Sequence, residues 1–420
     1  MKRIAIFIDG TWNRPDAEHP TNVLRLSRCV EHQCKKDETR QFVIYAQGVG
    51  SDQGSTLMAR KLDRAFGGGF GWGSMQLIES VYRQLIYAYE PDDEIYVFGF
   101  SRGAFAARSL VGLIRCCGIL PRYHLGEVPN AVARYMDRSS ATHPEDPSSY
   151  IYREKYAPLT ATSDKEYKWR RRDGKQSDSV RLRISYVGVW DTVGALGLPA
   201  IVPGAKTFNQ HYEFHDTELS SSVMSARHAV ALDERRKTFP AHLWSNLDEL
   251  NGRTDLEDEE RFRRPFLQQW FPGDHGSVGG GGSRIGLSSI ALHWIAQGAE
   301  EAGLEISWEA FDKEAWRLNI HSPTHNKFGP TGIIGQFLNW MAKDREGPTD
   351  VLDDLSVAAL DRFRLDDTYR PKSLNQVYHA LFELSEDKWG ELRKRMIARD
   401  GAVTHKLESV TRPRGPFKFD

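Results

Sequence analysis

A short glycine-flanked segment, residues 99–103, carries Ser101 at its centre. It follows the apolar run 95–98, which predicts a strand, and it precedes the alanine-rich run 104–114, which predicts a helix. A serine between a strand and a helix in this pattern is typical of a nucleophile elbow, which lifts the hydroxyl above the edge of a sheet. The sequence therefore predicts nucleophilic chemistry at Ser101.

The neighbours of this serine fit the same interpretation. Gly99 and Gly103 are needed in such an elbow because a Cβ at either position would collide with the crossing backbone. The turn would also direct the backbone N–H of Arg102, at the start of a helix, toward a developing oxyanion. The alternative is an ordinary turn in which Ser101 caps the next helix.

A serine nucleophile needs a base and a group that orients the base. After an elbow of this kind, the acid and then the histidine follow the serine along the chain. Asp191 ends the apolar run 184–190, at the edge of a parallel sheet where ligands bind, and His275 lies in the glycine-rich segment 270–279. We predict that Ser101 attacks, His275 transfers the proton and Asp191 orients His275.

Each of these assignments has an alternative. Asp191 precedes Thr192 and could be a turn or helix-capping residue. His275 could be a loop histidine without a function. Asp274 is a rival for the orienting acid, although an immediate neighbour of the histidine usually points elsewhere.

Strand-like and helical patterns alternate along the first 300 residues, which predicts an α/β fold with a mostly parallel sheet covered by helices on both faces. We expect a domain over 1–305 and a mainly helical region over 306–420 that carries no recognisable chemical motif. The glycine-rich segment 67–73 fits no phosphate-binding spacing and is interpreted as a turn. The runs that predict strands are 4–8, 41–45, 95–98 and 182–190, and the clearest helical pattern is 75–89.

Residues 121–180 lose the apolar periodicity and are interpreted as a cap-like insertion over the core. Within it, cations mix with aromatic residues in a pattern that suits contact with anionic lipid headgroups or a phosphodiester, while a solvated charged face is the alternative. The candidate substrate-binding residues of this segment are Trp169, Arg170, Arg171 and Arg172.

Composition excludes several classes of function. The chain has 420 residues and a formal net charge of −1, which does not favour nucleic-acid binding. The four cysteines show neither a metal-ligand spacing nor a disulfide framework, which favours a reducing compartment. No signal peptide or membrane-spanning stretch is recognisable, so we expect a cytoplasmic protein; any export would require a dedicated machine.

Two other functions stay open on the residues alone. Asp9 ends the first strand, where a metal-dependent phosphoesterase or nuclease keeps a carboxylate for Mg²⁺. A non-catalytic binding module on a hydrolase scaffold is the second, because a fold does not determine a function. His211 and His215 could share a helix face, but they lack a third zinc ligand and are interpreted as structural.

Four segments in one order carry a family resemblance: 7–13, 99–104, 189–194 and 270–280. Together they resemble the α/β-hydrolase domain family of unassigned function that includes type VI secretion phospholipase effectors, over roughly residues 1–300. At Asp274 this chain departs from the non-acidic residue common in the family.

The resemblance implies an α/β-hydrolase fold in which Ser101, His275 and Asp191 form a triad that cleaves ester bonds of glycerophospholipids. It also implies that the backbone around Gly10 or Thr11 supplies the second oxyanion donor. No metal or organic cofactor is required by this chemistry. The expected partners are a lipid or small ester substrate, a membrane surface, and an immunity or secretion protein.

Overall fold

Six parallel strands form the central sheet of the protein, as seen in a computed structural model. The structure describes residues 1–10, 13, 15–48, 70–137, 139–194, 218–236, 239–252, 265–310, 318–324, 344–350 and 354–400. The strands of the sheet are β1 (Arg3–Ile8), β2 (Gln41–Ala46), β3 (Glu94–Phe100), β6 (Ile184–Trp190), β7 (Ala226–Ala231) and β8 (Phe266–Phe271), and a separate pair contains β4 (Thr160–Ala161) and β5 (Val180–Arg181).

The strand order is β2-β1-β3-β6-β7-β8, and every pairing in this sheet is parallel. All four strand predictions are confirmed. The chain turns to opposite sides of β1 to form β2 and β3, and such a switch point leaves a crevice at the carboxyl ends of the strands. Asp9 and Ser101 directly follow the two strands that flank this point.

The helices lie on both faces of the sheet, as predicted. They are α1 (Asn22–Ser27), α2 (Phe70–Ala88), α3 (Arg102–Cys117), α4 (Val128–Met136), α5 (Pro147–Tyr156), α6 (Asp164–Trp169), α7 (Leu247–Gly252), α8 (His275–Gly279), α9 (Gly286–Glu301), α10 (Val357–Leu365), α11 (Tyr378–Phe382) and α12 (Glu386–Asp400). Helix α2 starts within the glycine-rich segment 67–73, of which residues 67–69 lie outside the described part.

Alternate side chains of β1 face opposite cores, as the period of two of a strand requires. Ile4, Ile6 and Ile8 pack with apolar residues of α2 and α3 on one face. Ala5 and Phe7 pack on the other face with residues of α1 and α9. Burial on both faces explains why the strand sequence is continuously apolar.

A third apolar cluster joins the C-terminal region to the last two strands. Val230 of β7 and Trp270 of β8 pack there with residues of α10 and α12, among them Leu360 and Met396. Leu355 also forms an isolated parallel bridge with Trp270. The C-terminal region therefore lies along the outer edge of the sheet.

The insertion packs on α3, but its polar anchors lie far from Ser101. Arg115 of α3 donates to Thr162, and Arg153 donates to the carbonyl oxygen of Cys116. Arg115 is fourteen residues beyond Ser101, which is about 20 Å along the helix. These two contacts lie at the end of α3 remote from the serine, and the cap-like insertion over 121–180 stays a prediction.

Among the described residues, no single helix has the length and hydropathy to cross a bilayer, although α3 and the segment 122–136 pass that test as a pair bent by 109°. None of the four cysteines forms a disulfide, and all four are buried. His211 and His215 lie outside the described residues.

Candidate active site

Ser101 stands on a strained turn between β3 and α3. Its backbone has φ +59° and ψ −125°, a conformation that L-residues rarely adopt and that is often found at functional sites. Its N–H donates to the carbonyl oxygen of Trp190 in the neighbouring strand. Its side chain makes no capping hydrogen bond to α3, which argues against the alternative of a helix-capping serine.

The two glycines of this turn lie against backbone. A Cβ on Gly99 would be 2.4 Å from the carbonyl oxygen of Gly103, and a Cβ on Gly103 would be 2.2 Å from that of Ile8. Both distances are impossible for a carbon atom, so the close approach of strand, helix and β1 requires glycine at both positions.

His275 joins the serine to Asp191 by two hydrogen bonds. Its Nε2 lies 2.8 Å from Ser101 Oγ, and its Nδ1 lies 2.5 Å from Asp191 Oδ2. With the proton on Nδ1, the ring donates to the carboxylate and accepts the serine hydroxyl at Nε2. The structure therefore brings together the three residues that the sequence selected from loops after β3, β6 and β8.

Packing holds the histidine ring in a largely dry environment. The rings of Phe100 and Phe239 lie 4.6 and 4.9 Å from its centroid. Ser101 and His275 are only 5% and 7% exposed. Exclusion of water strengthens each polar contact of the site.

Asp274, the rival orienting acid, caps the short helix that His275 begins. Its carboxylate accepts the N–H of Ser277 at 2.9 Å. Asp191 is the carboxylate that contacts Nδ1 of His275. The acid next to the histidine in sequence thus shapes the loop, whereas the distant acid reaches the ring.

The carboxylate of Asp191 is fully buried and has three further contacts. Oδ1 accepts the N–H of Ala231 at 2.8 Å, and Arg345 donates to both oxygens, at 2.6 Å to Oδ1 and 3.0 Å to Oδ2. Burial alone would raise the pKa of this carboxyl, but the charge of Arg345 and the hydrogen bond from His275 outweigh it and hold the pKa well below its usual range. Asp191 is therefore an anion at neutral pH.

Sequence reasoning missed Arg345. It lies in the segment 344–350, which has no regular secondary structure or motif. Arg345 is 154 positions away from Asp191 in the sequence. Glu234 was missed as well, and its carboxylate accepts the N–H of His275 at 3.2 Å. No sequence pattern signals either contact, because both depend on how distant loops meet.

Asp9 is buried and accepts four hydrogen bonds. Gly10 N–H and Asn13 Nδ2 donate to Oδ1 at 2.7 and 3.2 Å, and the hydroxyls of Thr21 and Tyr45 donate to Oδ2, each at 2.7 Å. Burial raises the pKa of this carboxyl against the lowering effect of those donors. Asp9 thus ties the loop after β1 to α1 and β2.

This arrangement corrects one of the predicted oxyanion donors. The N–H of Gly10 is engaged by Asp9 Oδ1, so it does not point to a substrate oxygen. Thr11, the other residue named for this role, lies outside the described residues. Arg102 is the first residue of α3 and directly follows Ser101, as predicted.

The metal-dependent alternative finds no support around Asp9. The described residues contain no group of three or more His, Cys, Asp or Glu side chains that could hold an ion. Both oxygens of Asp9 already face protein donors. Hard cations need several oxygen ligands, whereas Asp9 offers one carboxylate whose two oxygens already accept hydrogen bonds from protein groups.

The predicted substrate-binding arginines differ from the expectation. Arg170 is 1% exposed and pairs with the buried Glu166 at 2.6 Å, and Glu166 also pairs with Arg153 at 2.9 Å. It therefore cannot meet a lipid headgroup. Arg171 is half-buried and donates to the carbonyl oxygens of residues 177 and 179.

Trp169 and Arg172 remain at the surface of the insertion. The guanidinium of Arg172 stacks on the Trp169 ring, with 3.6 Å between its carbon and the ring centroid. Both side chains are half-buried. Trp169 ends α6 of the insertion. The contacts of this region with α3 described above lie at the end of that helix remote from Ser101.

Comparison with known proteins gives a family match over most of the sheet-forming region. Residues 2–298 match the family described as the catalytic domain of the T6SS phospholipase effector Tle1-like proteins. This segment includes Ser101, Asp191 and His275, but it ends before Arg345.

Individual relatives are more distant. The uncharacterized protein YEL023C of Saccharomyces cerevisiae is 29% identical over 245 residues, which are 57% of this chain and 32% of the relative. An uncharacterized protein from Pseudomonas aeruginosa is 15% identical with a TM-score of 0.41, over 96% of this chain and 63% of that one. A Tle1 effector bound to the VgrG spike is 17% identical with a TM-score of 0.31, over 68% and 52%. The chain thus spans about a third of the yeast protein.

Proposed function

Because the chain belongs to the family of Tle1-like type VI secretion phospholipase effectors, we propose that it is a serine hydrolase that cleaves carboxylic ester bonds of glycerophospholipids. One observation carries the proposal. A continuous line of hydrogen bonds joins Ser101 Oγ to His275 and His275 to the buried carboxylate of Asp191. This order of groups activates a serine hydroxyl in serine hydrolases, and the strained turn at Ser101 is typical of a nucleophile elbow, so both support the proposal.

In the proposed reaction, Ser101 Oγ attacks the ester carbonyl carbon while His275 Nε2 takes the hydroxyl proton. The tetrahedral intermediate collapses, the bond to the alcohol oxygen breaks, and His275 returns the proton to that oxygen. The acyl group stays on Ser101. Water then attacks the acyl-enzyme with His275 as base, which releases the fatty acid and restores the hydroxyl.

Asp191 would hold the His275 tautomer and stabilise the imidazolium that forms in each half-reaction. The backbone N–H of Arg102 would donate to the oxyanion, since it belongs to the first turn of α3, where the helix dipole favours negative charge. The chemistry needs proton transfer and backbone donors, and it does not call for a metal ion.

Family membership supports the lipid substrate and the partners. An effector of this family acts on membrane lipids, so we propose a phospholipase A-type cleavage and export by a dedicated secretion machine, with an immunity protein as a further partner. Trp169 and Arg172 are the residues of the insertion that still suit contact with a headgroup.

The test is covalent labelling together with product analysis. A fluorophosphonate probe should label the wild-type protein at Ser101, and mixed phospholipid vesicles should yield lysophospholipid and free fatty acid. Ser101→Ala should abolish both signals. Ser277→Ala is the matched control, because Ser277 is a buried serine beside His275 whose hydroxyl donates to the carbonyl oxygen of Thr324. Labelling at Ser277 or unchanged hydrolysis in Ser101→Ala would refute the proposal.

A further inference from the structure

The guanidinium of Arg345 reaches the carboxylate of Asp191 from the C-terminal region. Nη1 lies 2.6 Å from Oδ1, and Nη2 lies 3.0 Å from Oδ2. The side chains are 6% and 0% exposed. A buried bidentate contact between an arginine and a carboxylate fixes the orientation of the carboxylate as well as attracting it.

Backbone carbonyl groups fix the guanidinium in turn. Nε and Nη2 donate to the carbonyl oxygen of Phe239 at 3.1 and 2.6 Å, and Nη1 donates to that of Ala231 at 2.9 Å. The preceding residue, Asp344, is held by Arg235 at 2.9 Å. A lysine could supply the charge here, but not this set of planar donors.

We propose that Arg345 is a positioning residue of the catalytic site, which holds the Asp191 carboxylate in the orientation that His275 requires. The proposal rests on the serine-hydrolase function proposed above. Asp191 has a strained backbone with φ +36°, a conformation that persists only where surrounding contacts hold the residue in place. Arg345 lies outside the matched family segment 2–298, and the site would therefore extend into the C-terminal region.

Arg345 also affects how strongly Asp191 stabilises a protonated His275. The positive charge of Arg345 partly neutralises the Asp191 carboxylate, so the carboxylate stabilises an imidazolium at His275 less strongly. Removal of Arg345 would therefore strengthen the attraction between the Asp191 carboxylate and an imidazolium at His275. Among the described residues, the other charged or titratable groups near His275 or Asp191 include Glu234, Arg236, Asp274 and His228, and none of them changes in the test.

The test measures kcat and KM for a soluble p-nitrophenyl butyrate ester as a function of pH. Arg345→Met removes the charge and the donors, and Arg345→Lys keeps the charge. Arg362→Met is the matched control, because Arg362 is a buried arginine of the same region that donates to the carbonyl oxygens of Ile320 and Ser322. Thermal unfolding of each variant shows whether it folds, and fluorophosphonate labelling of the wild-type protein tests Ser101 separately.

We expect kcat of Arg345→Met to fall about 100-fold, as a misplaced catalytic group does, with KM unchanged. The acid limb of its pH profile should move upward by about one pH unit or more. Arg345→Lys keeps the charge but loses the bidentate contact with Asp191, so its kcat should fall about tenfold while the acid limb of its pH profile stays at the wild-type position. Arg362→Met should show no shift of the limb.

A limb in Arg345→Met that coincides with the wild type would overturn the proposal. If Arg345→Met does not fold, Arg345→Lys decides: wild-type kcat overturns the proposal, and a tenfold loss at unchanged KM supports it. A wild-type protein that fails to label at Ser101 and to hydrolyse any ester would instead refute the proposed function.

Discussion

The carbonyl oxygen of Ile8 lies directly against the α-carbon of Gly103, so close that an added Cβ would stand 2.2 Å from it. Ile8 ends β1, and Gly103 is the second residue of α3. This contact presses the loop that follows β1 against the turn that carries Ser101. The backbones of two predicted functional segments are thus in direct contact.

Gly103→Ala should therefore be strongly destabilising. The methyl group has no room, and relief requires a shift of β1 or α3, which costs about 1–3 kcal/mol or more in the free energy of unfolding. Urea unfolding measures this change. Gly390→Ala is the control, because a Cβ there meets nothing within 4 Å, and alanine inside a helix should stabilise by up to about 1 kcal/mol. Equal effects of the two variants would contradict the steric interpretation.

Replacement of each triad member should have a similar and non-additive effect. Ser101→Ala, His275→Ala and Asp191→Asn are each expected to lower kcat by about 10⁴-fold, and the double variants should lose little more, because the three groups act as a unit. Steady-state kinetics on a short-chain ester measure this. Independent losses that multiply in Ser101→Ala with His275→Ala would show that the histidine does not serve the serine.

Asp9→Asn separates a structural role from a metal-binding role. Asparagine offers one acceptor oxygen where four donors converge, so we expect a loss of about 1–3 kcal/mol in stability. Exhaustive chelation of the wild-type protein should leave ester hydrolysis intact. A strict requirement for Mg²⁺ or Mn²⁺, with Ser101→Ala still active, would favour the metal-dependent alternative.

Arg170 and Arg172 should respond differently to neutralisation. Arg170→Gln removes the ion pair with Glu166, which keeps its contact with Arg153, and the hydrogen bonds to the carbonyl oxygens of residues 157, 158 and 160, so it should cost about 1–3 kcal/mol in the free energy of unfolding. Arg172→Gln should leave the fold intact and weaken hydrolysis of anionic vesicles by about 1 kcal/mol in binding, without an effect on a soluble ester. An equal loss on vesicles and soluble ester in Arg172→Gln would remove the proposed headgroup contact.

The strands, and the residues that directly follow them, were predictable because the local pattern of apolar residues identifies where a strand ends. The apolar runs before Ser101 and Asp191 identified strands, and parallel strands bring their carboxyl ends to one edge. The orientation of single polar groups was not predictable. Whether the N–H of Gly10 faces a substrate or Asp9, and whether Arg170 faces solvent or Glu166, depends on contacts made only after folding.

The C-terminal segment that pairs with β8 has a consequence for association between molecules. Leu355 lies beside Trp270 at the outer edge of the sheet, where an uncovered strand would present free backbone groups and apolar side chains. A chain cut at residue 298 would keep the three proposed catalytic residues yet expose that edge. We expect such a fragment to aggregate through strand addition, so that its low activity would reflect self-association as much as loss of Arg345.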